Sequence, residues 1–264
     1  MRIDLSGRTA LVTASTQGIG AAIAAGLAGA GARVCVNGRA AERVERAVAQ
    51  LRDEVPDGEF VAVAADVATA EGAERARDAA PEVDILVNNL GVFGAKDAFE
   101  IDDAEWRRYF DVNVLSAVRL TRMYMPGMLE RDWGRVLYIS SESGVAIPVE
   151  MVQYGMTKTA MLALGRGFAK KAAGSGVTVN SVLVGPTRTA GVEEFVQGLV
   201  GGELPWEEAE RVFMREHRPQ SLLQRLIEPA EIAHMVVYLS SDLSSATTGG
   251  AVRVDGGCVD AVVP

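Results

Sequence analysis

The chain of 264 residues lacks the marks of several protein classes. It has 2 cysteines and 2 histidines. Cys35 and Cys258 are far apart and neither has a CxxC partner, and His217 and His234 show no close ligand spacing. The pattern therefore predicts no metal site and a reducing, cytoplasmic setting. Long apolar runs are missing too: "ILV" near 85 and "VTVNSVLVG" at 177–185 fall far short of the roughly 20 residues of a membrane span. "MRIDLSGRTALV" runs straight into a strand pattern, so no signal peptide is expected. Positive charge is also short, with 26 Lys and Arg against 35 Asp and Glu and a net charge of -9. A general grip on nucleic acid is not expected, although one local basic residue could still bind a phosphate. No Pro/Ser-rich linker, repeat or low-complexity tract divides the chain, which predicts a single domain over 1–264.

What the chain has is apolar residues, at 48%, enough for a large buried core. They gather in runs that read as strands at 8–13, 33–37, 60–65, 84–89, 135–140, 177–184 and 251–255. Helical patterns lie between them near 18–30, 40–54, 69–79, 102–130, 151–173 and 229–241. Several strands are too uniformly apolar to have a wet face. The alternation predicts an α/β, Rossmann-like, doubly wound fold: a seven-stranded parallel sheet with helices on both faces. Ligands bind such a sheet outside the carboxyl ends of its strands, so residues just after each strand are the functional candidates.

"TASTQGIG" (13–20) follows the first strand and opens the first helix, where a pyrophosphate would meet helix N-terminal N–H groups. The pattern is not G-x-G-x-x-G, since Ile23 stands at the third glycine position. It fits T-[G]-x-x-x-G-I-G with Ala14 in place of the first glycine, and Ala14 is expected to preserve the loop if its φ is negative. After the second strand comes "VNGR", with Asn37 and Arg39 where an acidic residue would select NAD. Arg39 can meet a 2′-phosphate, which favours NADP (NADPH) over NAD. Asp66 and Val67 follow the third strand, placed to meet adenine, and "NNLG" (88–91) follows the fourth.

In "VQYGMTKTA", Tyr154 and Lys158 are four apart and share one helix face. An ammonium beside a phenol stabilises the phenolate. Lowering a pKa of about 10 to about 7 requires roughly 4 kcal/mol, of which Lys158 can supply part. "YISSESG" ends the fifth strand and brings a serine hydroxyl to the same edge.

These motifs, with the Asn of "DVNV" and the tail "TTGGAVRVDGG" (247–257), occur in the order and spacing of the short-chain dehydrogenase/reductase family. The chain resembles that family throughout, and in particular its single-domain branch with 3-oxoacyl-[acyl-carrier-protein] reductases. The resemblance implies a catalytic set of Asn113, Ser141, Tyr154 and Lys158. Tyr154 would be the general acid for ketone reduction or the base for alcohol oxidation. Lys158 would bind the nicotinamide ribose and tune Tyr154, while Ser141, rather than Ser140, would hydrogen-bond the substrate oxygen. Asn113 would hold a water that resupplies the proton. The implied cofactor site comprises Thr13, Ser15, Gln17, Gly18, Ile19, Gly20, Asn37, Arg39, Asp66, Val67, Asn88, Asn89 and Gly91. Tyr154, Lys158, Gly185, Thr187 and Thr189 complete it, and Val184 lies beside them.

Residues 190–226 carry apolar positions at helical spacing: Phe195, Val196, Leu199 and Val200, then Trp206, Ala209, Val212 and Phe213. They predict two short helices joined around Gly201, Gly202 and Pro205, acting as a lid with an apolar underside that favours a hydrophobic ketone or alcohol. Val149, Glu150 and Met151 are expected to line the same pocket. By resemblance the partner is a small carbonyl or alcohol, and the assembly a homotetramer with a dimer as fallback. The alternatives are an NADP-binding regulator without catalysis, an NAD-dependent alcohol dehydrogenase, and an epimerase on the related extended scaffold. The short chain argues against the last.

Overall fold

In the computed structural model, which describes residues 3–202 and 204–262, the apolar runs form one seven-stranded sheet. The strands are β1 (Thr9–Val12), β2 (Arg33–Gly38), β3 (Glu59–Ala64), β4 (Ile85–Asn88), β5 (Gly134–Ser141), β6 (Val177–Val184) and β7 (Ala251–Val254). They lie in the order β3-β2-β1-β4-β5-β6-β7, and every neighbouring pair is parallel. The ends of the expected 1–264 unit, and Glu203 within 190–226, lie outside the described residues.

β4, β5 and β6 are buried at every position, which explains their lack of polar alternation. Successive side chains point to opposite faces. Ala10 and Val12 thus join the core beneath α1 (Gly18–Gly29), α2 (Ala41–Glu54) and α9 (Pro229–Leu239). Leu11, between them, joins the core beneath α3 (Ala70–Ala79), α5 (Ser116–Glu130) and α6 (Val152–Lys171). From β1 the chain first builds outward through β2 and β3, then crosses to β4 on the other side. That reversal opens a crevice at the carboxyl ends of β1 and β4.

The helix expected over 102–130 is broken. Asp102 caps α4 (Asp103–Phe110) by accepting the Glu105 N–H at 2.8 Å, and a π-turn over Asp111–Leu115 precedes α5. Asn113, fully buried, lies in that turn. One extra residue in the helical ladder barely disturbs an apolar period, so the interruption is invisible in the pattern.

After β6 come α7 (Ala190–Val200) and α8 (Trp206–His217), with Gly201 at a positive φ of 89° between them. Val196, Ala209, Phe213, Met214 and Leu226 form an apolar cluster separate from both sheet cores. At the base of this segment Thr187 bridges Ile227, and Arg188 pairs with Glu210 and Glu228.

Candidate active site

The loop after β1 is held by the loops beside it. Thr13 Oγ1 accepts the N–H groups of Asn89 and Leu90, and Asn89 Nδ2 donates to the carbonyls of Thr13 and Ala14. Ser15 Oγ donates to Val12 O and accepts the Asn37 N–H. Asn37 Nδ2 in turn donates to the carbonyls of Val63 and Ala65, both at 3.0 Å. The Asn88 side chain is buried with neither amide atom hydrogen-bonded among the described residues, and it faces neither cavity described below. At Gly20 a Cβ would lie 2.5 Å from Ala14 O and 2.7 Å from Asn89 Nδ2, so only glycine permits this approach. Gly18 has a φ of 57°. Ala14 departs from the expected negative φ and takes 51°. Asn37 Oδ1 accepts its N–H at 3.3 Å and Asn89 binds its carbonyl, so the clamp holds the alanine in a conformation that suits glycine.

A cavity beside this loop is lined by Ala14, Gln17, Asn37, Arg39, Arg43, Asp66, Val67, Leu90 and Gly91. Gln17 is the N-cap of α1 and makes no side-chain capping bond, and the first turn contains no acidic residue. Its N–H groups and the positive end of the helix dipole therefore remain available to an anion. Arg39 and Arg43 are exposed, and neither has a carboxylate partner among the described residues. The glycine cradle, the uncapped helix start and the two free guanidinium groups fit a phosphorylated dinucleotide.

The second cavity opens from the same crevice. Ile19, Asn89, Gly91, Ser141, Tyr154, Lys158, Val184, Gly185, Thr187 and Thr189 line it. The first turns of α6 carry Tyr154 and Lys158 on one face, with Lys158 Nζ 5.5 Å from the centre of the Tyr154 ring. Lys158 is buried and donates to Ile139 O at 2.8 Å. Ser140 Oγ is turned away and bonded to Lys158 O, which leaves Ser141 as the serine beside Tyr154. Asn113 accepts the Val92 N–H at 2.7 Å and donates to Val92 O and to Thr157 Oγ1. Both its amide hydrogens are therefore engaged, and the side chain fixes the π-turn beside Lys158. Gly91 keeps the space between them open, since a Cβ there would lie 3.5 Å from both Asn113 Oδ1 and Lys158 Nζ.

The electrostatics depart from the expectation of an acidified phenol. Burial, reinforced by the Glu142 carboxylate, holds the Tyr154 pKa well above its usual range, while Arg218 opposes the rise. Burial also pushes the Lys158 ammonium down to about 8, with Glu142 acting against that shift. The direction of the Tyr154 shift favours the protonated phenol.

Glu142 and Arg218 escaped the sequence reading. Glu142 follows the serine, and Arg218 follows α8, 76 positions further along. Both are buried, and Arg218 Nε lies 3.4 Å from Glu142 Oε1. An S-S-E run gives no hint that the glutamate turns inward, and an arginine after a helix reads as a solvated end. An aromatic roof was legible only in part. Phe93 packs edge-on to Tyr154 at 6.2 Å and to Phe195 at 5.9 Å, and Phe195 meets Phe213 at 6.4 Å. Met151 lines the cavity as expected, whereas Val149 is exposed and Glu150 faces a third cavity beyond Arg218.

A glycine-rich loop opening α1 and a Ser-Tyr-Lys group share the carboxyl edge of one parallel sheet, the arrangement expected of an NAD(P)-dependent oxidoreductase. The chain belongs to the short-chain dehydrogenase/reductase family: residues 13–259 match the family described as enoyl-(acyl carrier protein) reductase. It is 49% identical over 263 residues to the uncharacterized oxidoreductase YvaG of Bacillus subtilis, covering 99% of this chain and 100% of that one. It is also 29% identical over 260 residues to the 3-oxoacyl-[acyl-carrier-protein] reductase FabG of Aquifex aeolicus, covering 97% and 99%. Among solved structures, L-sorbose reductase from Gluconobacter frateurii, complexed with NADPH and L-sorbose, superposes with a TM-score of 0.91 at 30% identity, covering 99% and 100%.

Proposed function

We propose that the protein is an NADP(H)-dependent carbonyl reductase, acting in reverse as a secondary-alcohol dehydrogenase, on a substrate with an apolar flank. The observation that carries this reading is the shared crevice: Ser141, Tyr154 and Lys158 at one end, unpartnered Arg39 and Arg43 at the other. NADPH, when bound, supplies a hydride from nicotinamide C4 to the substrate carbon. Tyr154 donates its proton to the substrate oxygen, and Ser141 hydrogen-bonds that oxygen as it gains negative charge. Lys158 holds the nicotinamide ribose and steadies the phenolate left behind, and Asn113 fixes the π-turn where a water restores the proton. Arg39 holds the 2′-phosphate, with Arg43 beside it.

Residues 190–226 act as the lid of this one-domain chain. Their separate apolar cluster supports movement as a unit, and Val192, Phe195 and Phe213 turn towards the chamber. The reading extends to a cytoplasmic homotetramer acting on a small molecule, with a dimer as fallback; Cys35 and Cys258, both free thiols, suit a reducing compartment. Tyr154→Phe tests the core of the proposal. It should lower kcat by about 100- to 10,000-fold, the usual contribution of a general acid, while NADPH still binds. Unchanged turnover of a carbonyl panel would overturn it.

A further inference from the structure

We propose that the substrate carries a hydroxyl on the carbon beside its carbonyl, and that this hydroxyl, docked between Glu142 and Arg218, releases the Ser141 proton for catalysis. The inference rests on the roles proposed for Ser141 and Tyr154 and names the substrate class of that site: neutral hydroxy ketones and the vicinal diols they become.

The first observation is the state of the serine. Ser141 Oγ accepts the Ser143 N–H at 3.1 Å and donates its single proton to Glu142 Oε2. A hydroxyl committed to a carboxylate by a charge-assisted bond has no second proton for the substrate oxygen. A substrate that donates its own O–H to Glu142 takes over that bond and frees Ser141 to turn towards the oxygen that gains charge.

The second observation is an orphaned donor. Arg218 is 8% exposed, and its Nε–H has no hydrogen-bond acceptor among the described residues despite the Glu142 oxygen at 3.4 Å. Its Nη1 already donates to His217 O at 2.6 Å and to Glu150 Oε1 at 3.3 Å. A buried unpaired donor is costly, so a ligand that accepts from it is favoured. A hydroxyl both donates and accepts, and so satisfies Glu142 and Arg218 together. A carboxylate only accepts and would face Glu142, while a methylene satisfies neither.

The third observation is the space beyond. Glu142 and Arg218 line both the reaction chamber and a further cavity of 450 Å³ that includes Glu150, Glu216 and Gln220. Glu216 is paired with Arg215, so Glu142 and Glu150 against Arg218 leave an excess of carboxylate that disfavours an anionic tail there, whereas more hydroxylated carbons find polar partners.

The test compares acetoin with butanone, which differ by this one hydroxyl, and includes acetoacetate as the anion. In the wild type, kcat for acetoin should exceed that for butanone by about 10- to 100-fold, with a smaller difference in KM, because the hydroxyl acts on the serine as well as on binding. In Glu142→Gln a neutral acceptor holds the Ser141 proton more weakly. Butanone kcat should then rise, the acetoin preference should fall by about fivefold or more, and acetoacetate should become a better substrate. A wild-type preference within about twofold, or one unchanged by Glu142→Gln, overturns the inference and leaves the proposed activity standing. Failure to reduce any of the three overturns both. The wild-type comparison decides the matter even if the variant does not fold.

Discussion

The cofactor end and the substrate end of the crevice use polar residues in opposite ways. At the proposed cofactor end, Thr13, Ser15, Asn37 and Asn89 bind backbone and one another, and the arginines left over are exposed and have no carboxylate partner among the described residues. At the substrate end, charges are buried against each other, and one guanidinium N–H is left without an acceptor. On the proposed reading, the cofactor end is a finished backbone cradle to which selectivity is added by exposed charge. At the proposed substrate end, the groups we propose as selective are the buried charges themselves.

This contrast is broken most directly at Arg39. If the cradle supplies common binding and Arg39 only selects, Arg39→Ala should raise the KM for NADPH by about 10- to 100-fold, the worth of a charged hydrogen bond or two. The KM for NADH should change by less than about threefold. Steady-state kinetics with both cofactors check this, and an equal loss would refute the phosphate role.

The same contrast explains what was legible in the sequence. The order and type of the strands could be read because buried parallel strands are continuous apolar runs. The cradle could be read because backbone recognition needs glycine at fixed spacing, as Gly20 shows with its 2.5 Å approach to Ala14 O. Tyr154 and Lys158 could be read because both sit on one helix. Glu142 and Arg218 could not, since they meet only when the chain after α8 reaches the turn after β5, and neither neighbourhood is apolar enough to announce burial. The π-turn holding Asn113 was hidden for a related reason: an apolar stripe tolerates one extra residue.

A smaller effect sharpens the contrast at Lys158. Burial lowers this ammonium from 10.5 to about 8, while in the unfolded chain it keeps its proton to its ordinary value. Between pH 8 and 10.5 the unfolded state therefore binds more protons than the folded one, so this residue makes stability rise with pH. Denaturant unfolding of wild type and Lys158→Met should diverge over that window, the wild type gaining about 3 kcal/mol relative to the variant. A constant difference would mean that the lysine is not desolvated.

The smallest effect lies at Ala14, where the cofactor end tolerates strain for the sake of its clamp. A φ of 51° costs a residue with a Cβ about 1 kcal/mol relative to glycine, and glycine returns part of that gain by loosening the unfolded chain. Ala14→Gly should therefore stabilise the protein by about 0.5 kcal/mol, read as a rise of about 1–2 °C in Tm. Its NADPH affinity should hold, because Asn37 and Asn89 bind only the backbone of residue 14. A fall in Tm would show that the alanine methyl contributes packing that outweighs its strained backbone. The loop would then be adapted to alanine rather than tolerant of it.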